Sequence, residues 1–516
     1  MPPFNNSINR AAIVIPPIED FYCTPHRISS LGVGILKQIL ENENFNYIYI
    51  NALENPIRVK RRPLLPALSY LQPYILPEET GKCSYFTNFR YYGKSYEVIV
   101  EEICAFDPAI CFIGCFAFCY CRPVIEISRR IRQRLPQTII VAGGAGVSVY
   151  PEYFLRETAI DYTLSGEAEI NLMQFINFIR DDGIPCESIT GLGWKKGPLP
   201  ICNPVDKITT AATIMPVFEK IIETPTRMVY SLSLSRGCPS TCRFCANHLA
   251  HGRQFRHCTV GTFDRLLKQM PHPANGKEIR CNFEDDNLLH DTCFLVAILD
   301  SCRKAFPGVV RFSAENGLDY RLLTSELCDR LIDMGFRQFN FTLGSVSSEM
   351  LGRSGRAADI DRYDRLISIA WKRGVPVITY VICGFPEETK ESIADNLRFL
   401  ISRNTVIGVS LFYPVPGIPG FENRKAFDKV PPQLCAGASA YSWSSRLTTQ
   451  TLVTAFRLAR LINLMKAAVK SEEESVVIQK TINSGRLHTI IKECSQRRII
   501  EVPRQDAELV GMVLGG

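Results

Sequence analysis

Two successive series of apolar runs, each alternating with amphipathic segments, constrain this chain more than any other feature of its sequence. In the first series, residues 11 to about 180, "AAIVIPP" reads as a buried strand stopped by prolines. "SLGVGILKQILENEN" reads as a helix with apolar positions at three-to-four spacing, and "NYIYINAL" as a strand again. "YEVIVEEICAF" and "PVIEISRRIRQRL" are helical; "PAICFIGCF" and "TIIVAGGAG" are strands, the second ending in glycines. The series closes with "PEYFLRE", "DYTLSGEAE" and "INLMQFINFIRDD". Residues 52 to 93, rich in Pro and Tyr, read as an insertion. Strands alternating with helices predict a parallel, doubly wound sheet, whose ligands bind at the carboxyl ends of the strands.

After a linker at about 200 to 230 the second series starts at "YSLSLSRGC". It continues through "IRCNFEDDN", "VVRFSAENG", "FRQFNFTLGS", "VPVITYVICGFP" and "VIGVSLFYPVPG", with helical patterns between them. About six β/α units predict a partial barrel and not the eight-fold one. From about residue 425 the pattern is mostly helical, with an apolar stripe through "SRLTTQTLVTAFRLARLINLMKAAVK". The expected fold is α/β throughout: a Rossmann-like doubly wound domain with its linker at 1–205, a partial (β/α)6 barrel at 206–425, and a C-terminal helical, substrate-specific region at 426–516.

Composition narrows the class. The chain has 516 residues, 46% of them hydrophobic and 22% charged, an ordinary globular balance. A net charge of +7 over so large a surface is too dilute to argue for nucleic acid. Twenty cysteines are unusual, yet the N-terminus, "MPPFNNSINRAAIVIPPIED", lacks the apolar core of a signal peptide. Reduced thiols in the cytoplasm, in an anaerobic setting, are therefore expected. The uncharged apolar run "PAICFIGCFAFCYC" is about 14 residues, too short to span a bilayer.

Chemistry concentrates in "SRGCPSTCRFCAN", where Cys238, Cys242 and Cys245 are spaced C-x3-C-x2-C. Three thiolates in one loop can hold three irons of a [4Fe–4S] cube and leave the fourth open to a substrate molecule. A zinc site would need a fourth ligand, for which His248 or His251 stands near.

With Phe244 before the last cysteine, this loop resembles the radical S-adenosylmethionine (SAM) superfamily. The resemblance implies that SAM chelates the open iron and is cleaved, on one-electron reduction, to a 5′-deoxyadenosyl radical. It extends to "FEDDN", whose Asp285 and Asp286 stand where the family meets the SAM amino group. "ICGFPEET", with Gly384 and Pro386, is similar to the G-x-P-x-E segment, and "FYPVPGIPGF" to the segment at the barrel's end. One departure is plain. Where the fourth strand commonly ends Gly-x-Glu-Ser, this chain has "TLGSVSSEM", with Ser345 after Gly344; Glu315 or Asn316 is the alternative ribose contact.

The N-terminal series resembles the cobalamin-binding domains fused to such barrels. Pro17, "DPAICFIG" with Cys115 after it, "VAGGAGVSVYPEYFL" with Gly143, Gly144 and Ser148, and "IDYTLSGEAE" with Gly166 and Glu167 follow in the family's order. These residues are the expected cobalamin contacts, the glycines permitting close approach. No Asp-x-His-x-x-Gly motif is present, and His26 is the one early histidine. Cys111, Cys115, Cys119 and Cys121 invite a second cluster, although buried cysteines also serve as small hydrophobes.

The resemblance implies a methyltransferase that uses a [4Fe–4S] cluster, SAM and cobalamin (methylcobalamin) to methylate an unactivated carbon. It implies a small-molecule or peptide side-chain substrate and an external reductant of flavodoxin or ferredoxin type. Ring closure, ring contraction or another rearrangement with the same cofactors is the alternative. Methylthiolation of transfer RNA would need a C-terminal RNA-binding barrel where this sequence reads helical, and a plain cobalamin carrier needs no cluster loop.

Overall fold

A computed structural model describes residues 9–22, 31–54, 57–75, 88–180, 184–205, 214–272, 276–468 and 506–514. His26 lies outside the described residues. The chain is an α/β protein.

The N-terminal part runs β1 (Arg10–Ile15), β2 (Ile18–Asp20), α1 (Leu31–Asn42), β3 (Asn46–Asn51), β4 (Val59–Arg61), β5 (Arg90–Tyr92), α2 (Tyr96–Phe106), β6 (Ile110–Gly114), α3 (Cys121–Arg134), β7 (Ile139–Gly143), α4 (Ala145–Ser148), α5 (Pro151–Leu155), β8 (Tyr162–Leu164), α6 (Ala168–Ile179), β9 (Leu192–Lys196) and β10 (Leu199–Cys202). Its main sheet has the order β10-β9-β8-β7-β6-β1-β3. β3, β1, β6, β7 and β8 are parallel; β9 and β10 close the edge antiparallel. Chain direction across the sheet reverses between β1 and β6, which is where such sheets open a crevice for ligand. Both faces are covered. Ile99, Ile103, Val124 and Ile127 pack on one, and Ile35, Ile39, Phe175 and Ile176 on the other. That explains the near-continuous apolar strands of the sequence. Part of the insertion folds with β2 as a small antiparallel sheet, β2-β5-β4.

The second part runs β11 (Val217–Glu223), β12 (Arg227–Ser233), β13 (Ser235–Arg236), α7 (Asn247–His251), β14 (Arg256–His257), α8 (Val260–Leu267), β15 (Glu278–Phe283), α9 (Thr292–Ala305), β16 (Val310–Ser313), α10 (Ser325–Met334), β17 (Phe339–Gly344), α11 (Ser348–Ser354), α12 (Ile360–Lys372), β18 (Val377–Cys383), α13 (Lys390–Ile401) and β19 (Val406–Leu411). β12, β15 and β16 form one parallel arc and β17, β18 and β19 another. Two isolated parallel bridges, Phe312 with Phe336 and Leu318 with Phe341, connect the arcs. Side chains immediately before α8, α9, α10, α11, α12 and α13 cap them: Thr259, Asp291, Thr324, Ser347, Asp359 and Thr389 each accept a backbone N–H.

Beyond the barrel come short helical turns, α14 (Thr449–Ala468) and α15 (Ala507–Leu514). Leu452, Val453, Leu509 and Val513 join the barrel core, so this region is part of the same packing unit. The two parts also share packing: Val217 of β11 is buried against Leu31 and Ile35 of α1. Among the described residues no helix is long and apolar enough to cross a membrane.

Candidate functional site

The cysteine loop hangs from the carboxyl end of β12, the first barrel strand. Its base is a two-residue ladder, Ser235 with His257 and Arg236 with Arg256. Gly237 turns the chain at φ +81°, and a β-carbon there would stand 2.1 Å from the Gln254 carbonyl oxygen. Only glycine fits that crossing.

Two neighbouring carboxylates hold the loop. Asp285 Oδ1 accepts from Leu234 N at 3.0 Å and from Ser235 N and Oγ at 2.6 and 2.5 Å. Asp286 accepts from Gly237 N, Asn247 Nδ2 and His251 Nδ1, each at 2.8 Å. Asp286 thus uses both oxygens on partners within the protein. Its negative charge raises the His251 imidazole above its ordinary value, against the burial that lowers it. Asp285 retains one oxygen, Oδ2, buried and without a partner. A lone buried carboxylate oxygen calls for a donor, and an ammonium group fits it.

The thiols receive polar contacts of their own. Asn287 Nδ2 points at Cys238 Sγ at 3.6 Å, and Arg356 Nη1 at Cys242 Sγ at 3.8 Å. Burial pushes the Cys245 thiol up to about 11, with Asp286 and the other two thiols adding to it. Such a donor set suits sulfurs that carry charge shared with a cationic cluster. His248 Nδ1 faces the Cys245 carbonyl at 3.0 Å and His251 Nδ1 is taken by Asp286. Among the described residues no three His, Cys, Asp or Glu side chains converge as the ligands of one ion.

Around the loop the other expected residues separate. Phe244 packs edge-on against Phe385 at 5.8 Å, and Phe385 stacks on Phe412 at 4.8 Å, joining the cysteine loop to the ends of β18 and β19. Gly384, at φ +99°, and Phe385 donate their N–H groups to Glu388, so the turn carrying Pro386 is held by a buried glutamate. Burial pushes Glu388 up to about 7. The Ser345 hydroxyl donates to Asn396 Oδ1 at 3.1 Å and accepts from Ser347 N at 3.1 Å. It organises the turn after β17. Glu315 donates its backbone N–H to Asn282 Oδ1 at 2.9 Å.

Sequence reasoning missed Glu284. It accepts from Ser231 Oγ at 3.1 Å, from Asn282 Nδ2 at 2.6 Å and from Asn316 Nδ2, gathering polar groups from the ends of β12, β15 and β16. The signal was the extra acid before the quoted pair in "FEDDN". Arg356 was also missed, because nothing local marks an arginine that reaches a cysteine 114 residues away.

On the sheet side, Pro17 and Cys115 follow β1 and β6, at the crevice where the topology reverses. Asp20 sits at the same end, accepts from Tyr120 Oη at 2.6 Å and is pushed up to about 6 by burial. The glycine turn after β7 is explained internally. A β-carbon at Gly144 would lie 2.7 Å from the Cys115 carbonyl oxygen, and one at Gly146 would lie 2.5 Å from the Ala117 carbonyl carbon. Gly143 has no such conflict, its nearest atom being 3.5 Å away. Ser148 Oγ bonds the Gly144 carbonyl and the Gly166 N–H. Gly166, at φ +86°, abuts Val205, where a β-carbon would stand 2.6 Å from Cγ1. Glu167 is paired with Arg256 at 2.5 and 3.1 Å, so its charge is committed to the barrel rather than to a ligand. Cys111 is buried in β6; Cys115, Cys119 and Cys121 are buried beyond it, packing as small apolar groups.

Between the carboxyl end of β8, the start of α6 and the α7 segment lies a pocket of about 320 Å³, lined by Ser165, Asn171, Thr190, Val205 and His248 among others. Ser165 and Asn171 are 3% and 2% exposed, yet Ser165 Oγ and Asn171 Oδ1 have no partner. They fit a ligand edge that carries amide groups, such as a corrin periphery.

Comparison with known proteins agrees with this geometry. The Radical SAM superfamily model matches residues 232–400. An uncharacterized methyltransferase of Pyrococcus horikoshii is 26% identical over 321 residues, 58% of this chain and 66% of that protein. The anaerobic magnesium-protoporphyrin IX monomethyl ester cyclase of Synechocystis is 25% identical over 202 residues, 37% of this chain and 39% of its own. The cobalamin-dependent radical SAM methyltransferase TokK of Streptomyces tokunonensis is 22% identical over 150 residues, 27% and 22% of the two chains. The chain thus spans less than two thirds of the length of each of these relatives. In fold, the chain is similar to the radical SAM methyltransferase TsrM of Kitasatospora setae, solved with cobalamin and a [4Fe-4S] cluster. The TM-score is 0.58 at 16% identity, covering 82% of this chain and 76% of that one. It is also similar to the cobalamin-dependent radical SAM enzyme OxsB, with a TM-score of 0.54 at 14% identity and 85% and 58% coverage. Residues 232–400 thus carry a radical SAM domain, and by its cysteine loop, its barrel and these matches the chain is similar to cobalamin-dependent radical SAM enzymes.

Proposed function

We propose that this protein is a cobalamin-dependent radical SAM methyltransferase acting on an unactivated carbon of a small molecule or peptide side chain. When bound, the cluster and SAM supply a hydrogen-abstracting radical, and cobalamin supplies a transferable methyl group. Residues 1–205 are read as the cobalamin-binding part, 206–425 as the radical SAM barrel and 426–516 as the substrate-specific region.

The observation that carries the reading is the apposition of two ligand-binding ends. The cysteine loop at the carboxyl end of the barrel's first strand is paired, through Arg256 and Glu167, with the carboxyl end of β8. Folds of both kinds bind ligands at strand carboxyl ends. In this reading Cys238, Cys242 and Cys245 hold the cluster. Asp285 Oδ2 and Glu284 offer negative charge to the SAM ammonium, and Phe244, with the Gly384–Pro386 turn, walls the adenosine. Glu315 and Asn316 stand at the ribose. Pro17, Cys115 and Gly143 border the corrin, and Ser165 and Asn171 accept from its amides. An external one-electron donor of flavodoxin or ferredoxin class supplies the reducing electron.

The test separates methyl transfer from ring formation. Anaerobically reconstituted protein, loaded with reduced cobalamin and given methyl-deuterated SAM, should release S-adenosylhomocysteine, and the recovered cobalamin should carry a trideuterated methyl. Cobalamin recovered unmodified, with 5′-deoxyadenosine still formed, would favour rearrangement or ring closure, the chemistry named for the cyclase relative.

A further inference from the structure

The turn after α11 is docked directly on the cysteine loop. Arg243 N donates to the Ser354 carbonyl at 2.9 Å. Gly355 follows in the left-handed region at φ +68°, where a β-carbon would press on the Thr241 carbonyl at 2.9 Å. The next residue, Arg356, is 8% exposed. Its Nη1 points at Cys242 Sγ at 3.8 Å, and its Nη2 donates to Thr342 Oγ1 at 2.6 Å. Asp319 stands 3.1 Å from Nη2, with both side chains 9% exposed. Asp319 is itself held below the usual carboxylate range; burial works the other way, but Arg321 and Arg356 outweigh it. A full positive charge is thus fixed in a buried place against one of the three loop sulfurs, with a single carboxylate shared between two arginines.

We propose that Arg356 is a positioning residue that orients Cys242 and makes the loop's cluster easier to reduce, while Asp319 limits that effect. This rests on the reading of Cys238, Cys242 and Cys245 as cluster ligands. Reduction adds one electron from an external donor of the flavodoxin or ferredoxin class to the cluster, with no bond formed or broken. A hydrogen bond to a ligand sulfur and a nearby positive charge both stabilise the more negative, reduced cluster. The low dielectric of the site keeps water from screening them. Asp319 opposes them with its own charge. The two residues therefore have effects of opposite sign on the same equilibrium, which a merely structural role would not produce.

The experiment uses the full chain, reconstituted anaerobically with iron and sulfide and poised at fixed potentials with mediator dyes. The reduced fraction is read from the electron paramagnetic resonance signal of the cluster, beside iron content. In Arg356→Gln the reduced-to-oxidised ratio at a given potential should fall about tenfold, equivalent to about 59 mV for one electron. Arg356→Lys, which keeps the charge, should fall less. Asp319→Asn should shift the ratio the other way, toward easier reduction. Unchanged ratios in Arg356→Gln and Asp319→Asn overturn the proposal, and so does a shift of the same sign in both, which would mean a loosened loop. If Arg356→Gln loses its iron, the sign of the Asp319→Asn shift decides. A wild-type chain that holds no cluster would instead sink the cluster reading itself.

Discussion

Glu167 of the parallel sheet and Arg256 of the barrel form a two-pronged ion pair, 2.5 and 3.1 Å, at side chains only 3% and 2% exposed. Arg256 also bonds the His251 carbonyl at 3.0 Å, and its ladder partner Arg236 faces Glu169 at 3.6 Å. The base of the cysteine loop is therefore tied to the first turn of α6 by charge. Removing one partner leaves a buried charge uncompensated. Glu167→Ala should destabilise the chain by about 3–5 kcal/mol, measured by chemical denaturation. Replacing both residues by apolar ones of similar size should restore most of that loss.

The cluster assignment predicts about four irons and four sulfides per chain after anaerobic reconstitution. Replacing Cys238, Cys242 and Cys245 together with Ala should abolish both iron binding and SAM cleavage. Full retention of iron would shift attention to the thiols at Cys115, Cys119 and Cys121.

Asn171→Leu should weaken hydroxocobalamin binding about fivefold, the worth of about one hydrogen bond. The visible spectrum of the cofactor retained on gel filtration reads this directly. Equal retention by variant and wild type would remove the pocket beside α6 from the cobalamin site.

Glu388 gives a pH signature. Its carboxyl rises from 4.5 in the unfolded chain to about 7 in the fold because it is buried. The folded state then binds this proton more tightly than the unfolded state does. Its contribution to stability is greatest below pH 4.5, falls as pH rises, and is lost above pH 7, a span of about 3 kcal/mol. Glu388→Gln keeps an acceptor for the Gly384 and Phe385 N–H groups and should flatten this part of the profile. A wild-type curve already flat between these limits would mean that the turn's hydrogen bonds outweigh burial.

Periodicity and punctuation made the layered α/β fold readable, since apolar strands buried on both faces and capped helices announce themselves within a dozen residues. The cysteine spacing was readable for the same reason: its chemistry is local. What the sequence concealed is who bonds whom across the chain. Asp285 and Asp286 are indistinguishable in "FEDDN", yet one caps the loop with a single oxygen and the other spends both. Glu167 sits in a motif associated with cobalamin, but Arg256, 89 residues on, takes its charge. Gly144 and Gly146 signal close approach correctly; the approaching atoms belong to Cys115 and Ala117. Residue type shows that a contact is needed, and only the fold shows with what.

The barrel's two arcs meet without a continuous ladder. Between β16 and β17 the connection runs through residues 314–318, where Leu318 N donates to the Asn340 carbonyl and Thr342 N to the Leu318 carbonyl. Glu315 and Asn316 stand in this junction, and Asn316 reaches back to Glu284 at the end of β15 in its own arc. The wall is thus two arcs joined along a seam, and the seam is stitched beside the residues that a ligand in the lumen would grip. Occupancy is then felt mechanically, as a stiffening of the joint between the two arcs, and slower amide hydrogen exchange at Leu318 and Thr342 would register a ligand held far from either amide.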